Sequence, residues 1–388
     1  MIAQPQKTTP LWRDDRFWSA IFQIIVVAIV LGLYGVLLYT FNVNLNRTGL
    51  NFSFSFLTNP AGFSIGETLL KYETNDPYIW GLLIGAINTF RLVIVAFFAT
   101  TAIGILVGIC SFSQNLLLRI LSQVYVEIIR NTPLLLQLLF WYFVVFLSLP
   151  KPREPSIIAN AIFLSKAGVM IPWPSVGARI WWSVGILLIT TIALMVTWRW
   201  RIHAIVRQGQ TGKLQLFLLL AFALLGILTI LFGFHWEVPS QSERGLVSGG
   251  LTLSIEYSAV FAGLVVYTAA FIAEIVRGGI QSVSKGQWEA ARSLGLSAGQ
   301  VMQLVVFPQA LRVIIPPLNS QYMNLAKNSS LALAIGYPDL YSVASTTLNQ
   351  TGRPMEVFLI LMAFYLSLNL IITIVMNTVN RLVQIQER

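Results

Sequence analysis

Runs of about 20 apolar residues recur along this chain, and a run of that length is what a helix needs to cross the hydrocarbon core of a bilayer. Eight stretches qualify: 19–41, 92–112, 134–149 with a lead-in from Leu116, 180–197, 214–234, 255–276, 318–336 and 357–379. Inside a bilayer every backbone amide must be satisfied within the protein, so each run is expected to be helical. The reading is an all-α polytopic membrane protein. Composition agrees, at 56% hydrophobic and 10% charged residues with a mean hydropathy of +0.73.

The charges then set an orientation. With the N-terminus inside, the inner segments collect Lys7, Arg13, Arg16, Arg119, Arg199, Arg201, Arg207, Lys213, Arg277, Lys285, Arg292, Arg312, Arg381 and Arg388. The outer segments hold fewer cations, mixed with Glu67, Glu73, Asp76, Glu154, Glu237, Glu243, Asp339 and Glu356. This asymmetry places both termini in the cytoplasm. It also accounts for the net charge of +10 without a nucleic-acid partner. The first apolar run is too long for a signal-peptide core and lacks a small-x-small cleavage site, so it is expected to remain as an anchor. The single cysteine, Cys110, excludes an intrachain disulfide and a cysteine-held metal.

One polar stretch stands out, "KGQWEAARSLGLSAGQVMQLVVFPQALRVIIPP" from Lys285 to Pro317. Ser284 with Gln287, and Ser297 with Gln300, have capping-box spacing. Gly295 suits the left-handed residue that ends a helix. The expectation is a short helix over 285–294, a glycine turn, and a second helix from Ala298 that halts near Pro308, with Pro316 and Pro317 stiffening the return to the membrane. Ala290 and Ala291 leave little bulk to hold off a partner, while Glu289 and Arg292 offer charges. Docking and a helix lying on the membrane surface, with Trp288 and Leu294 against it, are both open on these residues alone.

That stretch resembles the EAA loop of ABC-importer permeases, in which Glu-Ala-Ala is followed after three residues by Gly and after nine more by Ile-x-Leu-Pro. Here the positions are Glu289, Ala290, Ala291, Gly295, then Val305, Val306, Phe307 and Pro308. The wider stretch "YTAAFIAEIVRGGIQSVSKGQWEAARSLGLSAGQVMQLVVFPQALRVIIPPLNSQYMNLAKNSSLAL" is similar to the polar-amino-acid branch of that family, as is "YVEIIRNTPLLLQLLFWYF". The resemblance covers five helices; the first and the pair at about 180–234 are additions like those of general L-amino-acid importer permeases. It implies a type I importer fold, with a cytoplasmic tail over 1–18, an added helix over 19–41, a periplasmic loop over 42–83, a permease domain over 84–380, a coupling loop over 277–317 and a tail over 381–388. It implies coupling through Glu289, Ala290, Ala291, Arg292, Gly295 and Pro308 to an ABC ATPase dimer that carries the ATP and magnesium, a second and different permease subunit, and a periplasmic amino-acid-binding protein. The bilayer itself is the remaining partner.

The residues offer no chemistry of their own. Gly212-Lys213 is followed by Leu214, and Arg207 stands where a phosphate loop needs its first glycine. His203 and His235 fall on opposite sides of the membrane in this topology, which excludes a histidine zinc pair. No cofactor is expected in this chain. An ion-coupled secondary transporter is the competing reading, and it would show two halves of matching hydropathy, which are absent.

Charged groups at membrane depth are the substrate-path candidates. Lys327 falls near the middle of its predicted helix, with Asn328, Ser329 and Ser330 beside it. It can meet a substrate carboxylate, or pair with Glu256 or Glu274; the serines can equally bond back to their own helix. In "RNTP", Thr132 reads as an N-cap before Pro133, so a half-helix with free amides can start there. Alternatively Arg130 pairs with Glu127 and the motif is an elbow. Tyr267 and Glu274 complete the set, Glu274 being spaced to latch Arg277. The outer segment 155–174, apolar in its middle, is expected to be re-entrant or interfacial.

Overall fold

The computed structural model describes residues 15–48, 52–175, 177–208, 211–242, 245 and 247–383. Most of the expected tails, 1–18 and 381–388, therefore lies outside the described residues. In chain order the chain forms α1 (Asp15–Thr48), α2 (Tyr78–Cys110), α3 (Leu116–Arg130) and α4 (Leu134–Leu139), which runs into a π-helical stretch Phe140–Phe146. Strands β1 (Ser156–Ile158), β2 (Ile162–Ser165), β3 (Gly168–Ile171) and β4 (Trp173–Pro174) precede α5 (Ala178–Gln208) and α6 (Lys213–Leu228). Strands β5 (Trp236–Glu237), β6 (Ser240–Gln241), β7 (Val247–Ser248) and β8 (Leu251–Leu253) lead to α7 (Ile255–Gln281). Then follow α8 (Lys285–Ser293), α9 (Ala298–Val301), a π turn Met302–Val306, α10 (Phe307–Asn328), a 3-10 turn Ser329–Ile335, α11 (Leu340–Thr351) and α12 (Pro354–Val383).

Seven helical segments are long and apolar enough to span, and α3 with α4 makes an eighth if the bent pair counts as one. The molecule is organised around α7, the most buried of these. Its sides pack against α2, α3, α4 and α10, and it contributes to the two largest core clusters. Contact with α2 is close because glycines lie at the crossing. A Cβ on Gly104 would sit 2.5 Å from Ile272, and one on Gly108 2.7 Å from Val276. Small residues let membrane helices approach until their backbones nearly touch, which supplies the dispersion contact that lipid cannot. By contrast α1 buries none of its span within the chain, and α5 and α6 pack chiefly on each other.

Several expectations need correction. α2 begins at Tyr78 rather than at 92, inside the loop expected over 42–83, because Asn88 and Arg91, which interrupt its hydropathy, have internal partners. The third apolar run is broken, α3 and α4 meeting at 106°. The segment 155–174, expected to be re-entrant or interfacial, contains strands and no helix. It forms an antiparallel sheet, β1-β2-β3-β8, its apolar residues carried on three short strands. The second helix of the coupling segment does not halt near Pro308. The π turn widens the helix just before it, and Pro308 then sits in the first turn of α10, where its missing N–H costs little. Pro316 and Pro317 lie inside α10 rather than after it.

Because the α2–α7 crossing has no room for a side chain, Gly108→Val is expected to cost about 2–3 kcal/mol by overpacking. Gly185→Val, at a position with nothing within 4 Å, is expected to be tolerated. Thermal melts of the two detergent-solubilised variants beside wild type check this, and equal melting temperatures would contradict it.

Candidate functional site

The coupling segment is built by punctuation. α8 ends where Gly295 takes φ +77, and the Gly295 N–H donates to the Arg292 carbonyl at 2.9 Å. The second helix start is capped as its spacing predicts, with Gln300 Oε1 accepting from the Ser297 N–H at 2.9 Å. The first is not, since Ser284 makes no side-chain cap and Gln287 instead accepts from Gln309 at 3.2 Å, tying α8 to the start of α10. The faces of α8 are unequal. Trp288 and Ala291 pack into the cluster of Val283, Val301, Val306 and Leu296. Glu289, Ala290 and Arg292 are exposed, and Leu294 is 80% exposed. Trp288 and Leu294 therefore share no outward face, and the apolar side of α8 is already spent on the bundle. What remains outward is a narrow polar edge in which neither Glu289 nor Arg292 has an ion-pair partner among the described residues.

The RNTP elbow turns α3 into α4. Thr132 does not cap α4, because its hydroxyl donates back to the Ile128 carbonyl at 3.1 Å and accepts from Gln137 Nε2 at 2.6 Å. Pro133 takes the N-cap place instead. Nor does Arg130 pair with Glu127, whose carboxylate accepts from Asn131 at 3.0 Å. Arg130 reaches across to Glu274 at 3.8 Å and lies over the Phe271 ring. Glu274 is held by Arg277 through two bonds, of 2.9 and 2.5 Å, the latch that their spacing anticipates. These groups line a cleft of about 450 Å³ between α2, α3 and α7.

Lys327 lies in the last turn of α10 rather than at mid-helix, since the backbone tightens into the 3-10 turn at Ser329. It has no ion pair with Glu256 or Glu274, or with any other described residue. Glu256 instead accepts from the Tyr142 hydroxyl at 3.3 Å. Ser329 is buried and bonds back to Ala326, and Ser330 bonds back to Lys327, both at 2.8 Å. Lys327 and Ser330 face a groove of about 340 Å³ with Tyr341, Phe358 and Tyr365. Tyr267 packs on Phe271 at mid-α7. Glu256 and Glu274, at opposite ends of α7, are about 27 Å apart by helical rise, so the sequence candidates fall into separate places rather than one site.

Comparison with known proteins decides the family. The family described as binding-protein-dependent transport system inner membrane component matches residues 100–385. The chain belongs to that family. The permease is 41% identical over 381 residues to a putative amino-acid ABC transporter permease, YhdX, of Escherichia coli, covering 96% of this chain and 95% of that one. It is 40% identical to the general L-amino acid transport system permease protein AapQ of Rhizobium johnstonii, over 97% of this chain and 94% of that one. It is 36% identical to the glutamate/glutamine/aspartate/asparagine transport system permease protein BztB of Rhodobacter capsulatus, over 97% and 96%. A solved amino acid ABC transporter chain matches at a TM-score of 0.47 and 21% identity, covering 78% of this chain and 94% of that one. The permease is thus a multi-pass inner-membrane protein, and its bundle of seven apolar helices, or eight with the bent pair, is the helical membrane architecture expected.

Two further features of the permease were not anticipated from its sequence. At the end remote from α8, an arm over 62–74 is closed at its base by Gly62 N–H bonding to Thr74 O and Ala61 N–H to Asp76 O, each 2.8 Å. Its Glu67 carboxylate accepts from Arg91 of α2 at 2.6 Å and from the hydroxyl of Ser254, the N-cap of α7. The Glu67 carbonyl accepts from Asn88 at 2.8 Å, and Asn88 also donates to the Pro338 carbonyl at 2.9 Å. Partners so far apart in sequence leave no local signal. The second feature is Asp339, fully buried, which accepts from the Ser342 N–H at 2.8 Å and caps α11. Here the cap spacing was readable, and the short helix after it was missed.

Burial pushes the Asp339 carboxyl up to about 7, against the pull of the Ser342 and Tyr341 amides. Its folded value lies above the unfolded one of about 3.9, so the native state holds the extra proton between them. Stability from this group is complete below about pH 4 and is lost as pH rises to about 7. Asp339→Asn keeps the capping oxygen and removes the titration. It is expected to melt about 3 °C or more above wild type at pH 8, with the gap closing toward pH 5; parallel pH profiles of the two would contradict this.

Proposed function

We propose that this permease is the membrane path of an ATP-driven importer of L-amino acids, with α8 seated in a separate cytoplasmic ATPase. The observation that carries the reading is the division of α8. Its apolar face is used up on α9 and the π turn, leaving Glu289, Ala290 and Arg292 as an outward edge that a partner would complete. Near end-to-end similarity to permeases named for amino-acid transport supports the substrate class. In this reading both termini and α8 are cytoplasmic, ATP and magnesium bind only on the ATPase dimer, and a periplasmic binding protein delivers substrate. The second permease is a different chain.

Glu274 and Arg277, just ahead of α8, carry ATPase motion into α7, and Arg130 passes it to the elbow. Gly295 holds the hinge. Gly295→Val is strained by about 1–2 kcal/mol through its backbone alone, because an added Cβ meets nothing within 4 Å. The variant is expected to fold and to lose coupled uptake. In pull-downs from native membranes, wild type is expected to bring down an ATPase and a second permease, and Glu289→Lys to lose the ATPase. Failure of wild type to recover any ATPase would reject the reading.

We place Lys327, with Ser330, where a substrate carboxylate passes, since the ammonium has no counter-charge among the described residues. Lys327→Met is expected to raise the KM for uptake about tenfold, the loss of one charge-assisted hydrogen bond. An unchanged KM would remove Lys327 from the path.

A further inference from the structure

We propose that Glu67, at the tip of the arm over 62–74, is a latch on the outer mouth of the permease, and that an incoming amino acid opens it by taking the Arg91 guanidinium with its own carboxylate. The inference rests on the import reading above and adds to it a substrate-facing ion pair, Glu67 with Arg91, whose two residues precede the family-matched stretch 100–385.

The geometry is that of a clasp. The arm leaves the loop at a hydrogen-bonded base, and most of its length is exposed, with Leu69 and Leu70 pointing outward. Phe63, Ile65 and Tyr72 rest against the apolar cluster under its base. At its tip one carboxylate holds two helices together: Arg91 belongs to α2, and Ser254 starts α7. Both partners of the Glu67–Arg91 pair have only 14% of their side chains exposed. The same guanidinium lies 4.3 Å over the Tyr257 ring. A third pair of elements joins through Asn88, which receives the Tyr337 hydroxyl on its carbonyl at 3.2 Å. Import requires the mouth to open, and opening α2 from α7 here means parting Glu67 from Arg91 or Ser254.

A buried guanidinium cannot be left without a carboxylate at small cost. The chemistry that releases Glu67 cheaply is therefore replacement by another carboxylate. Arg91 has capacity for one: its Nη2 is enclosed and meets no carboxylate or carbonyl among the described residues, with only the Tyr257 side chain beside the guanidinium. A carboxylate engaging both nitrogens gains the bidentate geometry that Glu67 lacks. Glu67, once displaced, is an anion near the substrate ammonium. The ligand class is thus the free α-amino acid, and the α-carboxamide of an amino acid with a neutral side chain is excluded because it brings no carboxylate to exchange.

Hydrogen exchange of segment 62–74, read by mass spectrometry on the importer purified whole through this chain and reconstituted in proteoliposomes with ATP, tests the clasp. The probes are L-glutamine and L-leucine, each beside its α-carboxamide, with uptake measured in the same vesicles. In wild type, a transported amino acid is expected to speed exchange of this segment about tenfold, as local opening replaces a held state, and its amide to leave it unchanged. Glu67→Gln is expected to exchange fast without any amino acid, and Arg91→Gln to lose the response. Ser254→Ala, which removes the bond to Glu67 together with the cap on the Tyr257 N–H and keeps the ion pair, is expected to show an intermediate basal rate and to retain the response. Uptake without a change in 62–74 overturns the clasp and leaves the import reading standing. Glu67→Gln exchange as slow as wild type also overturns it. If no amino acid is taken up by wild type, the import reading fails, and the clasp fails with it.

Discussion

Close contact between α2 and α7 through Gly104 and Gly108 is the constraint on which the rest of this permease depends. Apolar side chains gain little by leaving lipid for one another, so helix association in a bilayer relies on fit. Two glycines a turn apart provide it, and α7 becomes the element against which α3, α4 and α10 are placed. Both charged clusters at the helix ends report on this pair. Glu67 joins α2 to the start of α7, while Glu274 gathers Arg277 and Arg130 near its finish.

The two ends differ in tightness. At the Glu67 end the pair is short and enclosed; at the Glu274 end Arg130 stands 3.8 Å off beside an open cleft. The Glu274 end is the one that leads into α8, whose inner face is packed and whose outer edge is polar. Motion applied at that edge is therefore delivered to α7 rather than absorbed in a flexible loop.

How much of this could be read from the residues follows from how local each cause is. The start of α7 after Ser254, the left-handed turn at Gly295 and the Glu274–Arg277 bond depend on neighbours within a few positions, and all were legible. The start of α2 was read late because Asn88 and Arg91 lower its hydropathy, and only distant partners justify them. The run "IIANAIFL" has the composition of a membrane segment, yet it breaks at Ala159 and Asn160, both at positive φ, and folds into a hairpin. Pro308 reads as a stop signal, and nothing in sequence announces the π turn that lets the helix continue through it. Lys327 was located correctly on its helix but misplaced along it, because the tightening at Ser329 leaves no mark in hydropathy.

The sheet that carries the added helix pair has its own consequence. Ile171 of β3 pairs with Leu251 of β8, although α5, α6 and their connecting strands lie between them in sequence. The entrance and exit of that insertion are therefore adjacent in space. A tight turn across those two strands would close the chain without disturbing α7, which begins immediately after β8. Such an arrangement makes the insertion a cassette. Shortening or replacing it would leave the start of α7, and the helices packed on it, where they are.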